Sequence, residues 1–213
     1  MLHQSYKTAD ATRWPIQSWR HCSESCRRLN PGWEYRFWTD DQNRQLFAEH
    51  LPQFLDLYDM LLKPVTKSDL TRFAYMFVHG GFYADLDVEC VAPLDAALDG
   101  AAPGGEATPL RGSVVLGMMG SDFAFGHSIP NAALLSPPRH PMWLHCLESV
   151  RERLQEMHTP LGLMHVWWRR LHERYERHYN IYREPTEMLA GPVALKACFE
   201  TYAGEPFSRT GYH

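Results

Sequence analysis

The sequence predicts an α/β protein with a mixed, mainly parallel sheet flanked by helices, and three observations support this fold class. Short apolar runs alternate with segments of helical period along the N-terminal half. Turn-forming residues separate these segments and set their bounds. The chain has 213 residues, of which 45% are hydrophobic and 13% aromatic, enough for one packed domain and too apolar for a disordered chain. We therefore expect a single domain over 1–213, with a helical region at about 140–180 on or beside the sheet.

Caps and helix breakers delimit the elements of the N-terminal half. Asn30-Pro31-Gly32 ends the first predicted helix, Thr39-Asp40-Asp41 caps the second, and Pro64 ends the third. An aromatic residue stands at the end of each of the first two strands, where it either packs in the core or faces a cleft. These aromatic residues are Tyr6 and Trp38. The predicted strands are 1–8 and 34–38, and the predicted helices are 14–30, one that begins after Thr39, and 51–63.

The segment 67–91 combines a helix, a glycine stop, a strand and an acidic turn. Its apolar residues recur at the spacing of one helical face, which predicts a helix packed on the core. Asp69 and Arg72 lie beside that face, three residues apart, where they either pair with each other or bind hydroxyl groups together. Gly80 and Gly81 stop the helix. The apolar face consists of Leu70, Phe73, Ala74, Phe77 and Val78.

A short strand at 82–84 leads into Asp85-Leu86-Asp87. Because strand side chains alternate, we expect both carboxylates on the same side at the carboxyl end of this strand. Two carboxylates this close are stable only with a cation between them, a proton on one of them, or water around both. A D-x-D sequence alone is weak evidence, but the nearby Asp69 and Arg72 strengthen it. Since ligands bind beyond the carboxyl ends of the strands in such sheets, the ends near Tyr6, Trp38 and Asp85 should line one cleft.

The C-terminal half is predicted to add two strands and further helices. Residues 96–112 are rich in Ala, Gly and Pro and form a surface loop. Asn131 follows Pro130, where it either closes a turn or reaches toward the cleft. The Trp-Trp-Arg-Arg string within 161–179 is typical of packed tryptophans beside a solvated basic face, and the alternative is the lining of an acceptor pocket. The predicted strands are 114–118 and 131–136, and the helices are 140–158, 161–179 and a last region from Glu184 onward.

The string S-D-L-x-R-x₇-G-G-x-Y-x-D-x-D-x-x-C-x-x-P-L, which begins at Ser68, closely resembles a known sugar-nucleotide-binding segment. It is similar to that of glycosyltransferase family 32, the α-1,6-mannosyltransferase-like enzymes, and more distantly to that of the glucosylating clostridial toxins. The strings MLHQSYKT, FWTD and LAGPVAL also resemble the family. The resemblance implies a single Rossmann-like domain of the GT-A type. It also implies transfer of a sugar, with retention of configuration, from a UDP-sugar or GDP-mannose to a glycan or other glycoconjugate acceptor.

The resemblance also implies roles for individual residues. Asp87 would hold Mn²⁺ or Mg²⁺, Asp85 would touch ribose, sugar or metal, and Asp69 with Arg72 would hold the sugar hydroxyls. Relatives continue into a tail that closes over the diphosphate, so His213 is the expected start of that tail and a third metal ligand. The implied donor-binding residues are Tyr6, Trp38, Ser68, Asp69, Arg72, Tyr83, Asp85 and Asn131, and the implied catalytic residues are Asp69, Arg72, Asp85 and Asp87.

Two other functions fit parts of the sequence. In a haloacid-dehalogenase-like phosphatase, Asp85 would be the nucleophile and Asp87 the acid and base. In such phosphatases the D-x-D motif lies on the first strand of the fold, whereas here several elements precede it. The sequence also shows no clear later lysine followed by an acidic pair. The other alternative is a sugar-nucleotide-binding module without turnover.

Composition excludes a nucleic-acid-binding protein of the usual basic kind. The chain carries 21 Lys and Arg against 25 Asp and Glu, a net charge of -4. Its 12 histidines are not set at the spacing of metal ligands. The five cysteines are odd in number and form no CxxC pair, which favours reduced thiols. Cys22 and Cys26, one helical turn apart, are expected on the buried stripe of the first helix, with a metal site as the alternative.

The sequence shows no secretory leader at its start and no apolar run of membrane-spanning length. We therefore expect a chain without a membrane span, located in the cytoplasm. The alternative is a domain cut from a longer, Golgi-anchored protein, since eukaryotic members of the resembled family often carry an N-terminal anchor.

Overall fold

The computed structural model describes residues 1–99, 112–117, 128–157 and 185–204. Within these residues a five-stranded sheet has the order β2-β1-β3-β5-β4. The strands are β1 (Leu2–Ser5), β2 (Tyr35–Trp38), β3 (Gly81–Ala84), β4 (Val115–Leu116) and β5 (Ala133–Ser136). The helices are α1 (Ser18–Leu29), α2 (Asp40–His50), α3 (Leu55–Met60), α4 (Pro64–Val78), α5 (Leu94–Leu98), α6 (Pro141–Met157), α7 (Pro185–Leu189) and α8 (Pro192–Ala203). Short 3₁₀ turns lie at Ala11–Arg13 and Pro52–Phe54.

The sheet is mixed, as predicted, with two parallel and two antiparallel strand pairings. Strand β1 pairs in parallel with β2 and with β3, whereas β5 is antiparallel to both β3 and β4. Four of the five strands therefore run in one direction. The carboxyl ends of β1, β2 and β3 and the amino end of β5 meet at one edge, which we call the C-terminal edge.

Helix α4 lies at the centre of the main core. Its residues from Asp69 to Met76 are all buried, and its neighbours include α6 and β3. The helix ends at two glycines with left-handed φ angles, 62° at Gly80 and 87° at Gly81. A side chain on Gly81 would also collide with the backbone of Met1, so glycine is required where the chain turns back into β3. This turn places the amino end of α4 at the C-terminal edge.

A buried histidine fixes the middle of the sheet. The Nε2–H of His3 donates to the carbonyl of Gly80 at 2.8 Å, and its Nδ1 accepts from the indole N–H of Trp38 at 3.0 Å. Because an indole N–H only donates and a carbonyl only accepts, these bonds define one neutral tautomer. Burial, with the positive groups around it, lowers the pKa of His3 to about 3, although the bond to Gly80 opposes this. The ring also stacks on Tyr75, at 5.4 Å between centroids.

Several predicted elements differ in extent from the observed ones. The strand expected over 1–8 covers only Leu2–Ser5, and the helix expected over 14–30 begins at Ser18, after Pro15. The helix expected over 51–63 starts as a 3₁₀ turn at Pro52 and ends at Met60, because Leu61 is extended. The cap predicted at Thr39 is present, and it takes the form of a capping box with Gln42. The helix expected over 161–179 and most of the loop expected over 96–112 lie outside the described residues.

The cysteines correct the expectation of reduced thiols. Disulfides join Cys26 to Cys90 and Cys146 to Cys198, and Cys22 is free. The pairs are 64 and 52 residues apart in sequence, so local spacing gave no sign of them. The first ties α1 to the chain after the acidic turn, which also excludes a metal site formed by Cys22 and Cys26. Among the described residues, no helix is long and apolar enough to cross a membrane.

Candidate functional site

Five polar side chains from three elements meet at the C-terminal edge. Helix α4 supplies Asp69 and Arg72, β3 and its end supply Tyr83 and Asp85, and the segment before β5 supplies Asn131. We call these residues the site cluster. The sheet explains why they meet, because Ala84 pairs with Ala133 and the backbone N–H of Asp85 donates to the carbonyl of Ala132.

Arg72 is the centre of the site cluster. Its Nη1 donates to the backbone carbonyl of Asn131 at 3.0 Å and lies 3.3 Å from Asp69 Oδ1, while its Nη2 lies 3.0 Å from Asp85 Oδ1. The guanidinium also lies over the ring of Tyr83, 5.1 Å from its centroid. The side chain is only 9% exposed. Partners on three sides therefore fix the guanidinium in one orientation.

The two carboxylates of the site cluster are each held by a second donor. The amide of Asn131 donates to Asp69 Oδ1 at 3.0 Å, and the hydroxyl of Tyr83 donates to Asp85 Oδ1 at 2.6 Å. Asp69 is almost fully buried, whereas the side chain of Asp85 is 27% exposed. Asp85 thus has a face open toward solvent, whereas only 7% of the Asp69 side chain reaches it.

The protonation equilibria follow from burial and pairing. Burial raises the pKa of Asp69 and of Asp85, and Arg72 opposes that rise in both. Burial also raises the pKa of Tyr83 well above its usual value, so the phenol stays protonated and donates. For Arg72, burial acts to lower the pKa, but Tyr83, Asp85 and Asp69 outweigh it and the pKa is raised. The cluster therefore holds one cation between two carboxylates.

The acidic turn differs from the predicted strand extension. Strand β3 ends at Ala84, and the backbone N–H of Val88 donates to the carbonyl of Asp85 at 3.1 Å, which closes a turn. Strand alternation therefore does not relate Asp85 to Asp87. Asp87 is exposed on the turn, and its charge contributes to the raised pKa of Asp85. The two carboxylates are near enough to interact, and both reach solvent.

These two carboxylates fit a hard divalent cation that shares its coordination with a ligand. Mg²⁺ and Mn²⁺ sites often use one or two carboxylates together with substrate phosphates and water. Among the described residues, no group of three or more His, Cys, Asp or Glu forms a complete protein-only site. The third ligand predicted from the resemblance, His213, lies outside the described residues.

The remaining predicted donor-binding residues lie apart from the site cluster or at its border. Ser68 is half-buried on α4, next to Asp69. Tyr6 follows β1 at the C-terminal edge, with its ring edge against Trp19. Trp38 was expected either in the core or at a cleft, and the structure places its side chain in the core, stacked on Tyr75 at 5.0 Å.

The turn between α7 and α8 forms a wall of the site that sequence reasoning described only in part. Gly191 belongs to the string LAGPVAL that resembles the family, and a Cβ there would lie 3.3 Å from Asp69 Oδ2 and 2.7 Å from Glu187 Cα. Glu187 itself was missed, although its charge contributes to the raised pKa of Asp69. The hydroxyl of Thr66 donates to that of Thr186 at 3.2 Å and joins α4 to α7. The one available signal was an acidic residue shortly before LAGP.

Comparison with known proteins gives matches in family, sequence and fold. A family described as "Glycosyltransferase sugar-binding region containing DXD motif" matches residues 17–102. The mannosyl phosphorylinositol ceramide synthase SUR1 of Saccharomyces cerevisiae is 29% identical over 71% of this chain and 34% of its own length. The inositol phosphoceramide mannosyltransferase 3 of Schizosaccharomyces pombe is 30% identical over 84% of this chain and 48% of its own length. The chain thus spans about a third to a half of these relatives.

A solved structure named "PaToxG Glycosyltransferase" has the same fold. It aligns with a TM-score of 0.56 and 14% identity, covering 95% of this chain and 69% of that one. The predicted α/β fold of the GT-A type is thereby confirmed. The comparisons give no support to the phosphatase alternative.

Proposed function

We propose that this chain, whose residues 17–102 match the family of glycosyltransferase sugar-binding regions that contain a DXD motif, transfers a sugar from a nucleotide diphosphate sugar to a hydroxyl group. We propose mannose as the sugar, GDP-mannose as the donor and the headgroup of an inositol-containing phospholipid as the acceptor. The names of the two fungal relatives, a mannosyl phosphorylinositol ceramide synthase and an inositol phosphoceramide mannosyltransferase, support this choice. We also propose that the reaction depends on a divalent cation and retains the anomeric configuration.

The site cluster is the observation that carries the proposal. It places a buried Asp and Arg beside an acidic turn, at the sheet edge where α/β proteins bind their ligands. The Arg72 Nε–H is buried and finds no hydrogen-bond partner among the described residues. A buried donor without a partner is costly, and a ligand oxygen would satisfy it. Sugar hydroxyls supply such oxygens, and they also donate to carboxylates such as Asp69.

In the proposed reaction, the site cluster orients the sugar before the bond to phosphate breaks. Arg72 and Asp69 hold hydroxyls on one side of the ring, so the anomeric carbon meets the acceptor in one orientation. Because Arg72 is already fixed by Asp69, Asp85 and Asn131, little rearrangement accompanies binding. The hydroxyl of Tyr83 keeps Asp85 Oδ1 occupied, which leaves the other oxygen of Asp85 to face the donor.

Asp87 and Asp85 are the residues that would hold the divalent cation. When bound, such a cation offsets the negative charge that develops on the departing diphosphate. The exposure of Asp87 on the turn and the partial exposure of Asp85 suit ligands that share a cation with phosphate oxygens.

A panel of donors tests the proposal. The purified protein is incubated with GDP-mannose, several UDP-sugars and a simple phosphomonoester, with Mn²⁺ and with a chelator. We expect slow, Mn²⁺-dependent hydrolysis of GDP-mannose, faster in the presence of a soluble inositol phosphate acceptor. Preference for a UDP-sugar would overturn the choice of donor. Release of phosphate from the monoester alone would overturn the transferase, and binding without turnover would favour a binding module.

A further inference from the structure

Helix α1 holds the chain that follows Asp87 through three contacts. A disulfide, which we call the α1 disulfide, joins Cys26 to Cys90, and both side chains are buried. The backbone N–H of Cys90 donates to the hydroxyl of Ser25 at 2.9 Å. The Sγ of Cys26 also lies 3.7 Å from the carbonyl oxygen of Val88. The residues just after the acidic turn are therefore fastened to α1 by a covalent bond and by polar contacts.

Asn30, at the end of α1, extends this attachment beyond Cys90. Its side-chain amide donates to the carbonyl of Cys26 at 2.8 Å, and its side-chain oxygen accepts from the backbone N–H of Leu94 at 2.7 Å. Asn30 is buried, so both bonds lie away from water. Helix α1 thus holds the chain at Cys90 and again at Leu94.

Asp87 lies between two anchors of different kinds. On one side the sheet fixes Asp85, whose backbone N–H donates to the carbonyl of Ala132 at 2.8 Å. On the other side α1 fixes Cys90. The carboxylate of Asp87 is exposed but lies near α1, since burial raises the pKa of Cys22 and the charges of Glu89 and Asp87 add to that rise. The position of Asp87 therefore depends on α1 as well as on the sheet.

The α1 disulfide is the strongest part of the second anchor. Without it, Ser25 would hold Cys90 by one neutral hydrogen bond, which water can replace. A cation ligand needs more than this, because Mg²⁺ in particular demands near-ideal geometry from its ligands. Contacts that orient a ligand from behind typically change metal affinity by about 10-fold to 100-fold. Loss of the α1 disulfide should therefore weaken the cation site although no ligand is removed.

We propose that the α1 disulfide positions Asp87 for the divalent cation, so that reduction of this disulfide weakens metal-dependent binding of the donor. In the reduction, a dithiol gives two electrons and two protons to the bond between the two Sγ atoms. That bond breaks, two thiols form, and the dithiol becomes a disulfide. Cys26 and Cys90 are positioning residues, because they act through Asp87. The role of Asp87 as a ligand rests on the proposed function, whereas the attachment of the turn to α1 does not.

Two double variants, each lacking one disulfide, test the proposal. Cys26→Ser with Cys90→Ser opens the α1 disulfide. Cys146→Ser with Cys198→Ser is the control and opens the disulfide between α6 and α8, which lies in the main core. The two pairs are 64 and 52 residues apart in sequence, so losing either one costs the fold a similar loop entropy. A difference in binding between the variants therefore reports position rather than general stability.

The first measurement is titration of GDP and of UDP, each with Mn²⁺ and with a chelator. We expect the variant without the α1 disulfide to lose at least about 10-fold in the Mn²⁺-dependent affinity and to keep the affinity measured with the chelator. The control variant should stay within about twofold of wild type in both. Wild type reduced with dithiothreitol, and freed of it by gel filtration, should lose as much as the first variant and recover on reoxidation.

Amide hydrogen exchange measures the turn without any ligand. In the variant without the α1 disulfide, the amides at positions 88 and 90 should exchange at least about 10-fold faster than in wild type. The amide of Asp85, which donates to Ala132 in the sheet, should stay protected. The control variant should leave all three amides as they are in wild type.

The proposal is overturned if exchange at the turn is the same in both double variants, if the Mn²⁺-dependent affinity survives without the α1 disulfide, or if the control loses as much. Five free thiols in the oxidised wild type, in place of the one expected from Cys22, would also overturn it. So would unfolding of the whole chain in both the variant and the reduced wild type, because the disulfide would then serve the fold. A wild type that binds neither nucleotide in Mn²⁺ would overturn the proposed function, and the exchange data would still decide whether the α1 disulfide positions the turn.

Discussion

Replacing Arg72 by alanine should destabilise the fold far more than loss of an ordinary ion pair. The guanidinium lies between the carboxylates of Asp69 and Asp85, and all three side chains are largely withdrawn from water. Without it, two neighbouring negative charges stay partly buried with no compensating cation. Removing one partner of a buried pair costs about 3–5 kcal/mol. We expect about 3 kcal/mol, because the 27% exposure of Asp85 lets water screen part of the charge.

The loss in Arg72→Ala should depend on pH in a defined direction. Burial already raises the pKa of Asp69 and of Asp85 above their unfolded values, and the positive charge of Arg72 limits that rise. Without Arg72 both folded-state pKa values rise further. A carboxyl group with a raised folded-state pKa favours folding below its unfolded pKa and disfavours it as pH rises through the folded pKa. The free energy lost in Arg72→Ala should therefore be smaller at mildly acidic pH than at neutral pH.

Urea unfolding of wild type, Arg72→Ala and a matched control checks this reasoning. The control is Arg44→Ala, because Arg44 pairs with Asp59 through two bonds of 2.9 and 2.7 Å in an exposed position. We expect Arg44→Ala to lose far less stability than Arg72→Ala, because water screens an exposed pair. A loss in Arg72→Ala no larger than in Arg44→Ala, or one that is the same at about pH 5 and pH 7, would refute the account of a buried, compensating cation.

Three further predictions concern the acidic turn, the sheet and the wall of the site. Asp87→Asn should abolish Mn²⁺-dependent binding of the donor and leave the circular dichroism spectrum unchanged; unaltered nucleotide affinity in Mn²⁺ would reject the metal ligand. In the wild type, neutral His3 stabilises the fold above its unfolded pKa, and this contribution is lost as pH drops from 6.5 toward about 3. The unfolding free energy of His3→Gln should therefore fall less steeply over this pH range. Parallel acid-unfolding curves of the two proteins would contradict this. Gly191→Ala should lower the unfolding free energy by about 1–3 kcal/mol, since its Cβ would lie 2.7 Å from Glu187 Cα. Thermal melts check it, and an unchanged midpoint would mean that the turn between α7 and α8 relaxes freely.

Local sequence patterns predicted the helices and their ends, because these patterns depend on contacts between residues close in sequence. The apolar face of α4, the glycine stop and the cap at Thr39 are set by residues within one or two turns, and all three are observed. The convergence of the polar residues followed from a general property of parallel sheets, that their carboxyl ends meet at one edge. The meeting of Arg72 with Asp85 is an outcome of that topology.

Long-range contacts account for what sequence reasoning missed. The role of Trp38 depends on a bond to His3 and a stack on Tyr75, both far away in sequence. The disulfide between Cys26 and Cys90 likewise depends on how α1 packs beside the chain after the acidic turn. No spacing rule connects such residues.

The acidic turn at Asp85 to Val88 was predicted as a turn, but strand alternation was wrongly applied within it. Side-chain alternation was carried past the last residue that pairs in β3, although the chain bends once pairing ends. The geometry of Asp85 and Asp87 follows from the turn rather than from the strand.

The affinity of Asp69→Asn for GDP-mannose, compared with its affinity for GDP, tests most directly whether the site cluster holds the sugar. The change is nearly isosteric, and Asp69 would touch the sugar but not the nucleoside diphosphate. Titration calorimetry in Mn²⁺ should show GDP-mannose bound about 10-fold to 100-fold more weakly, as expected for lost hydrogen bonds to a charged group, and GDP bound within about twofold of wild type. An equal loss for both ligands, or no loss for either, would contradict the account and leave Asp69 with a purely structural pairing to Arg72.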